Sequence, residues 1–338
     1  MVTTLWAYLA DLLEGHRIIY VFDKRFYKLK LSKYNPLQAL AIDMLLHKKC
    51  IGLGSISGRV FRVFRAGDRE YIFLSGSGDI ISELIYPVSK NSKFICWDDL
   101  SGSLPKRPLF IVDNSLYHEL HPKDQNRLVY QLSLFLKVFR KYLFDTHLLM
   151  NNSPIELYKK FNSVAGYNMV RWTNIIDLVN LLNKDDRIIA LDPYAEDIAD
   201  ENVLRNATVT IIGGIVDREK PIKMATKRIV DALSRKLDIE ITRYRLEIDG
   251  IREAVPHRIN ILGEIILEAI FNKKSLKKSI IEHMSNRDIA WYIGLKIMKE
   301  KLDHDKVKEI VSEIEEYRKI KIKDHVLRRA YRIAGIKV

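Results

Sequence analysis

Between residues 108 and 249 the chain keeps repeating one pattern: a short, wholly apolar run followed by a longer stretch with helical spacing. The runs are PLFIVDNS (108–115), FDTHLLMNN (144–152), DDRIIALDP (185–193), ATVTIIGG (207–214) and RYRLEID (243–249). Most show no in–out alternation, so both faces of each strand must be covered, as in a parallel sheet under helices. Residues 121–143 place Leu128, Leu132, Phe135, Leu136 and Phe139 on one helical stripe, and a helix after Pro221 does the same with Ile222, Ala225, Ile229, Leu233 and Leu237. A Trp-containing helix is expected over 172–183, and INILGEIILEAIF (259–271) reads as a helix that is apolar nearly all round.

Flanking zones differ in texture. Residues 1–104 open with an amphipathic helix, and GRVFRVFRAGDREYIFL (58–74) alternates around AGD as a hairpin does. SGSLPKRP (101–108) has linker composition. Beyond residue 271 the chain is charged and helical, without strand signals. The expected domains are therefore 1–104, 105–271 and 272–338.

With 47% hydrophobic and 29% charged residues, the composition is that of a soluble globular protein. Fifty-six Lys+Arg against 43 Asp+Glu leave a net charge of +13, which makes a polyanion the first partner to consider. No run reaches the ~20 apolar residues of a membrane span, and the acid-bearing N-terminus is not a secretory signal, so the expected location is the cytoplasm. Two isolated cysteines, Cys50 and Cys96, and nine scattered histidines argue against a zinc site, a disulfide framework or any other metal centre. G-x-G-x-x-G, G-x-x-x-x-G-K-[ST] and G-x-S-x-G are absent, which removes the dinucleotide, P-loop and nucleophile-elbow sites.

What remains is TVTIIGGIVDREKP (208–221), a β-branched run ending on Gly213 and Gly214 before Asp217. Glycines at the C-terminal end of a parallel strand let a ligand approach the backbone. The other reading is a tight strand-to-helix turn with Asp217 serving the next helix. Two further features favour a ligand: the polar loop IDGIREAVPHR (248–258), and the helix after it, with Asn260 as N-cap. Gly263 inside that helix costs about 1 kcal/mol against Ala and asks for a close contact.

LFIVDNS, LDPYAED, TIIGGIVDRE and VPHRINILGEIIL, in this order, resemble the Trm10 family of tRNA position-9 methyltransferases over residues 107–271. The family belongs to the SPOUT class. The resemblance implies an α/β fold with a C-terminal trefoil knot, a mixed α+β N-terminal domain and an α-helical C-terminal domain of the archaeal branch. It implies a monomer that moves a methyl group from S-adenosylmethionine to N1 of the purine at position 9 of tRNA. It puts Leu191, Pro193, Gly213, Gly214, Arg218, Val255, Pro256, His257 and Asn260 at the cofactor and Asp217 beside the acceptor base, with Asp113 and Asp249 as further acids nearby. Basic runs interleaved with aromatic and aliphatic residues are either solvated faces or clamps on tRNA phosphates. The second reading names Lys24, Arg25, Lys28, Arg62, Arg65, Lys277, Lys278, Arg328 and Arg329. Two other functions stay open: a SPOUT enzyme with another tRNA or rRNA target, and a non-catalytic RNA-binding protein with a degenerate knot.

Overall fold

A computed structural model describes residues 3–22, 35–66, 68–88 and 93–336. The chain divides into two compact units: Met1–Lys106 with Lys137–Thr146 and Tyr167–Met169, and Arg107–Leu136 with His147–Gly166 and Val170–Val338.

In the first unit, α1 (Leu5–Leu12) buries Leu5 and Leu9, and α2 (Pro36–His47) starts on Pro36 after Asn35, whose side chain accepts the Leu37 and Gln38 N–H groups. Around them run β1 (Ile18–Val21), β2 (Cys50–Leu53), β3 (Ser57–Ala66), β4 (Arg69–Ile81), β5 (Leu84–Val88), β6 (Ile95–Cys96) and α3 (Trp97–Ser103). The sheet order is β3-β4-β1-β5-β2-β6. β3 and β4 form the expected hairpin, with Ala66 opposite Arg69. One expectation is overturned: Cys50 and Cys96 are joined in a disulfide. The antiparallel register of β2 and β6 sets these two cysteines opposite each other across 46 residues of sequence, which spacing alone does not reveal.

The second unit is an α/β structure on a seven-stranded sheet whose paired strands all run parallel. Its elements are β7 (Leu109–Asp113), α4 (Pro122–Phe139), β8 (Leu148–Asn151), α5 (Ile155–Ala165), β9 (Arg171–Thr173), α6 (Ile175–Leu181), β10 (Ile188–Leu191), β11 (Asp197–Ile198), α7 (Glu201–Asn206), β12 (Val209–Gly213), α8 (Ala225–Leu237), β13 (Thr242–Arg245) and α9 (Ile259–Phe271). The sheet order is β11-β13-β10-β12-β7-β8-β9. β7, β8 and β10 are buried along their whole length, and Ile111, Ala190 and Ile211 share a core with Ile229 and Leu233 of α8. Trp172 stands on β9 rather than on a helix, because Asn174 and Asp177 form a capping box that starts α6 only after the strand ends.

Four helices follow: α10 (Leu276–His283), α11 (Asn286–Glu300), α12 (His304–Arg318) and α13 (Asp324–Ile333). Ser275, Ser285 and Asp303 cap the first three with side-chain oxygens. α10 is tied to α9 by a half-buried network in which Glu268 takes Lys274 Nζ at 2.8 Å, Ser279 Oγ at 2.7 Å and the His283 ring at 3.3 Å. Among the described residues no helix is long and apolar enough to cross a membrane.

Candidate active site

Because β10, β12 and β13 are neighbouring parallel strands, their C-terminal ends open at one edge of the sheet, where ligands of such sheets collect. A cleft of about 280 Å³ lies there. Its lining comes from Leu191, Asp192, Pro193 and Tyr194 after β10, Ile212, Gly213, Ile215 and Asp217 around the end of β12, and Leu246, Arg252, Val255, Pro256 and His257 after β13. Ile259 and Leu262 of α9 and Ile222, Ala225 and Thr226 before and within α8 complete it.

The loop that leaves β12 is fixed by its own hydrogen bonds. Gly214 donates its N–H to the Asp113 carbonyl at 2.7 Å. A Cβ at Gly214 would collide with the Asn114 amide and stand 2.9 Å from the Asp113 carbonyl, so glycine is required by the neighbouring strand end. Asp217 accepts the Ile222 N–H at 3.2 Å, which closes a turn around the carboxylate. Glu219 donates its N–H at 2.8 Å to Asp124, a fully buried acid in the first turn of α4. Arg127 bridges Asp124 and Glu219 at 2.7 and 2.8 Å. Burial alone would raise the Asp124 pKa; the Glu219 N–H and the Arg127 guanidinium outweigh it and hold the carboxyl below its ordinary range.

On the opposite wall His257 is exposed, yet desolvation by its surroundings lowers its pKa, and Asp288, Asp217 and Glu253 oppose that shift without cancelling it.

A second cleft, of about 380 Å³, is lined by Asn126, Arg127, Tyr130, Gln131 and Leu134 of α4 together with Arg218, Arg258 and Asn260. The two clefts share adjacent residues: Asp217, His257 and Ile259 line the first, Arg218, Arg258 and Asn260 the second. Gln131 holds this shared wall in place by accepting the Ile259 N–H at 2.9 Å.

Of the residues assigned to a cofactor, Leu191, Pro193, Gly213, Val255, Pro256 and His257 come together in the first cleft with Asp217. Gly214 faces the end of β7, and Arg218 and Asn260 face the second cleft. Asn260 is not the N-cap of α9; that position is Arg258, and the side-chain Oδ1 of Asn260 is buried without a hydrogen-bond partner. Gly263 does have its close contact, but with the ring of Phe135 on α4: an added Cβ would stand 2.5 Å from Cδ2 and 3.0 Å from Cζ.

The two further acids lie outside both clefts. Asp113 is buried and accepts from Asn151 at 2.6 Å, Asn152 at 3.0 Å and the Ser115 N–H at 3.0 Å, which ties the ends of β7 and β8 together. Asp249 takes the Tyr292 hydroxyl at 2.6 Å and the Lys296 ammonium, both on α11. Burial opposes its charge, but these bonds and nearby Lys277 hold its pKa low.

Sequence reasoning missed Asp192, Tyr194 and Arg252. Tyr194 and Arg252 are exposed loop residues whose rings of contact form only once β10 and β13 are neighbours, and Asp192 is buried against Arg243 at 3.0 Å. For Asp192 and Tyr194 their place in and beside the LDP motif was the available signal; Arg252 had none.

Among the basic residues, Lys24, Arg25 and Lys28 lie outside the described residues. Arg62 and Arg65 are on β3, Arg65 being largely exposed beside Glu70 at 2.7 Å. Lys277 is engaged by Glu313 at 2.8 Å and Asp249 at 3.5 Å, which makes it a structural ion-pair partner. Lys278 lies over the Tyr317 ring, and Arg328 and Arg329 are exposed on α13.

No known family profile matches the chain. The tRNA (adenine(9)-N1)-methyltransferase of Sulfolobus acidocaldarius is 31% identical over 252 residues, which cover 75% of this chain and 77% of that protein. The tRNA (guanine(9)-/adenine(9)-N1)-methyltransferase of Thermococcus kodakarensis is 26% identical over 294 residues, 85% of this chain and 74% of that protein. In fold, the chain is similar to the crystal structure of Sulfolobus acidocaldarius Trm10 in complex with S-adenosylhomocysteine. The TM-score is 0.70 at 22% identity, with 98% of this chain and 99% of that chain covered. A dual-specific Trm10 from Thermococcus kodakaraensis gives a TM-score of 0.59 at 18% identity, covering 82% and 99%.

Proposed function

The chain belongs to the Trm10 family of tRNA methyltransferases, and on that premise we propose that its first cleft holds S-adenosylmethionine while the second admits the purine to be methylated. The activity is S-adenosylmethionine-dependent methylation of N1 of a purine in tRNA. We assign it to position 9, with adenine, guanine or both accepted.

The donor set of the first cleft fits the cofactor. Leu191, Val255, Pro256 and Leu262 offer apolar walls for an adenosine, and Asp217 offers a negative charge to a sulfonium. When bound, S-adenosylmethionine supplies a methyl group already activated for in-line displacement. The protein's share is then mainly orientation. Gly213 leaves the cleft floor bare, and the bond from Gln131 to the Ile259 N–H holds the wall against which the base must rest.

Asp217 serves the acceptor. N1 of guanine bears a proton that has to leave, and a carboxylate within reach can take it. N1 of adenine carries a lone pair, and its methylated product is a cation that a carboxylate stabilises. We assign Asp217 to orienting the base and complementing charge, with the Ile222 N–H fixing one of its oxygens.

The second cleft suits a nucleotide: Tyr130, 60% exposed, offers a face for stacking, and Arg218 and Arg258 offer charge to flanking phosphates. A position-9 base would have to leave the folded tRNA core to enter it. We propose that residues 1–104 and 272–338 grip the tRNA backbone through Arg62, Arg65, Lys278, Arg328 and Arg329, with 105–271 as the methyltransferase domain. We also propose that the chain after β13 threads a trefoil knot. The strand order supports this: β12 lies between β7 and β10, and β13 lies beyond β10. The protein is proposed to act as a cytoplasmic monomer, for which gel filtration is the test.

The carrying observation is the single wall, 217–218 and 257–260, shared by an apolar cleft and an arginine-lined one. The deciding experiment is nucleoside mass spectrometry after incubation with S-adenosylmethionine and paired tRNA transcripts carrying A or G at position 9. 1-Methyladenosine, 1-methylguanosine or both fixes the base choice. No product from either, with cofactor binding intact, overturns the position-9 assignment.

A further inference from the structure

Among the described residues lining the first cleft, Arg252 is the sole lysine or arginine. Its guanidinium is held on two sides. The Tyr194 ring lies 5.3 Å from its central carbon, and its Nε donates to Glu253 at 3.0 Å. The two terminal nitrogens have no hydrogen bond among the described residues. An arginine fixed through its face and its Nε, with both Nη groups unengaged, has the fork geometry that receives a planar carboxylate in two parallel bonds.

S-adenosylmethionine has one formal anion, its α-carboxylate, and the other charged residue facing the cleft from the β12 loop is Asp217, which would repel that end. The neighbouring acid Asp192 is neutralised by Arg243. Resting on the cofactor reading above, we infer that Arg252 is the carboxylate-binding residue of the cleft. It orients the cofactor by its amino-acid end while Tyr194 keeps the guanidinium in place. Asp217 and Arg252 then fix the polarity of the bound cofactor, with the sulfonium toward the shared wall and the carboxylate toward the Tyr194 side.

The test is a calorimetric comparison, without tRNA, of S-adenosylmethionine and decarboxylated S-adenosylmethionine, which lacks only the carboxylate. In the wild type the carboxylated cofactor binds more tightly. In Arg252→Gln its affinity falls about tenfold to a hundredfold, the range for hydrogen bonds to charged groups. The decarboxylated cofactor changes less than about twofold by the same reasoning. Arg252→Lys, which keeps the charge but not the fork, falls between and serves if the Gln variant does not fold. Equal weakening of both ligands makes Arg252 a stacking or structural group and overturns the inference, as does no change in the affinity of either. A wild type that binds neither ligand sinks the cofactor reading itself.

Discussion

Gly263→Ala tests whether α9 is set by its contact with α4. In an unobstructed helix this change stabilises by about 1 kcal/mol. Here the new methyl would sit on the Phe135 ring, 2.5 Å from Cδ2, where ordinary contact begins near 3.4 Å. Phe135 is fully buried, so the ring cannot swing into solvent. Overpacking of this kind costs about 1–3 kcal/mol. The balance is a destabilisation of about 0–2 kcal/mol, or a melting temperature lower by about 2–4 °C for each 1 kcal/mol in a unit of this size. Phe135→Leu alone leaves a void and costs about 1–2 kcal/mol. In the double variant the methyl occupies that void, so the two losses should fall short of their sum by roughly 1 kcal/mol. Thermal and denaturant unfolding of the four proteins supplies the cycle. Additive losses, or a Gly263→Ala protein more stable than the wild type, would refute the argument. Since Ile259 and Leu262 of α9 line the first cleft, the single variant should also bind S-adenosylhomocysteine more weakly, and the double variant should recover part of that.

Three other outcomes are expected. Asp217→Asn should lower the methylation rate modestly and weaken binding of the sulfonium-bearing S-adenosylmethionine more than that of S-adenosylhomocysteine, whose sulfur is uncharged; a near-total loss of rate measured in single turnovers would make Asp217 an obligate base instead. Gly214→Ala should loosen the loop that leaves β12, because its methyl meets the Asn114 amide and the Asp113 carbonyl, and calorimetry should show weaker S-adenosylhomocysteine binding. Glu268 is burdened by burial, but His283, Lys274 and Ser279 together hold its pKa down at about 2 against an ordinary 4.5. A depressed carboxyl pKa gives stability that is complete above pH 4.5 and lost as pH falls towards 2. Glu268→Gln should therefore be less stable at pH 7 and show a flatter acid limb in urea titrations between those values; an unchanged limb would remove the network from the account.

The sheet of the second unit was legible because its strands are short, apolar and bounded, and the stripes on α4 and α8 told which helix faces to bury. The first cleft was legible in part, since Gly213, Asp217 and the VPH segment sit where parallel strands end. Long-range partners were not. Asn260 satisfies every local rule for an N-cap, yet the first N–H of α9 is served by Gln131, 128 residues earlier. Asp249 follows an apolar strand as a catalytic acid would, yet its partners Tyr292 and Lys296 come from α11. Gly263 announced a close contact without naming Phe135. The Cys50–Cys96 bond depends on a strand register that two isolated cysteines cannot encode. In each case the missing information is which distant element arrives alongside.

The sharing of one wall, 217–218 and 257–260, between two clefts limits what this enzyme can change without losing itself. On the reading proposed above, a substitution at Arg218 or Asn260 acts first on the acceptor side, which Asp217 serves from the neighbouring cleft. Inserting or deleting a single residue in either stretch would, on that reading, displace the residues after it and break the placement that gives Asp217 to one cleft and Arg218 to the other. On the same reading, single substitutions on one side of the wall leave room for change, while the length of these two segments is constrained from both sides at once.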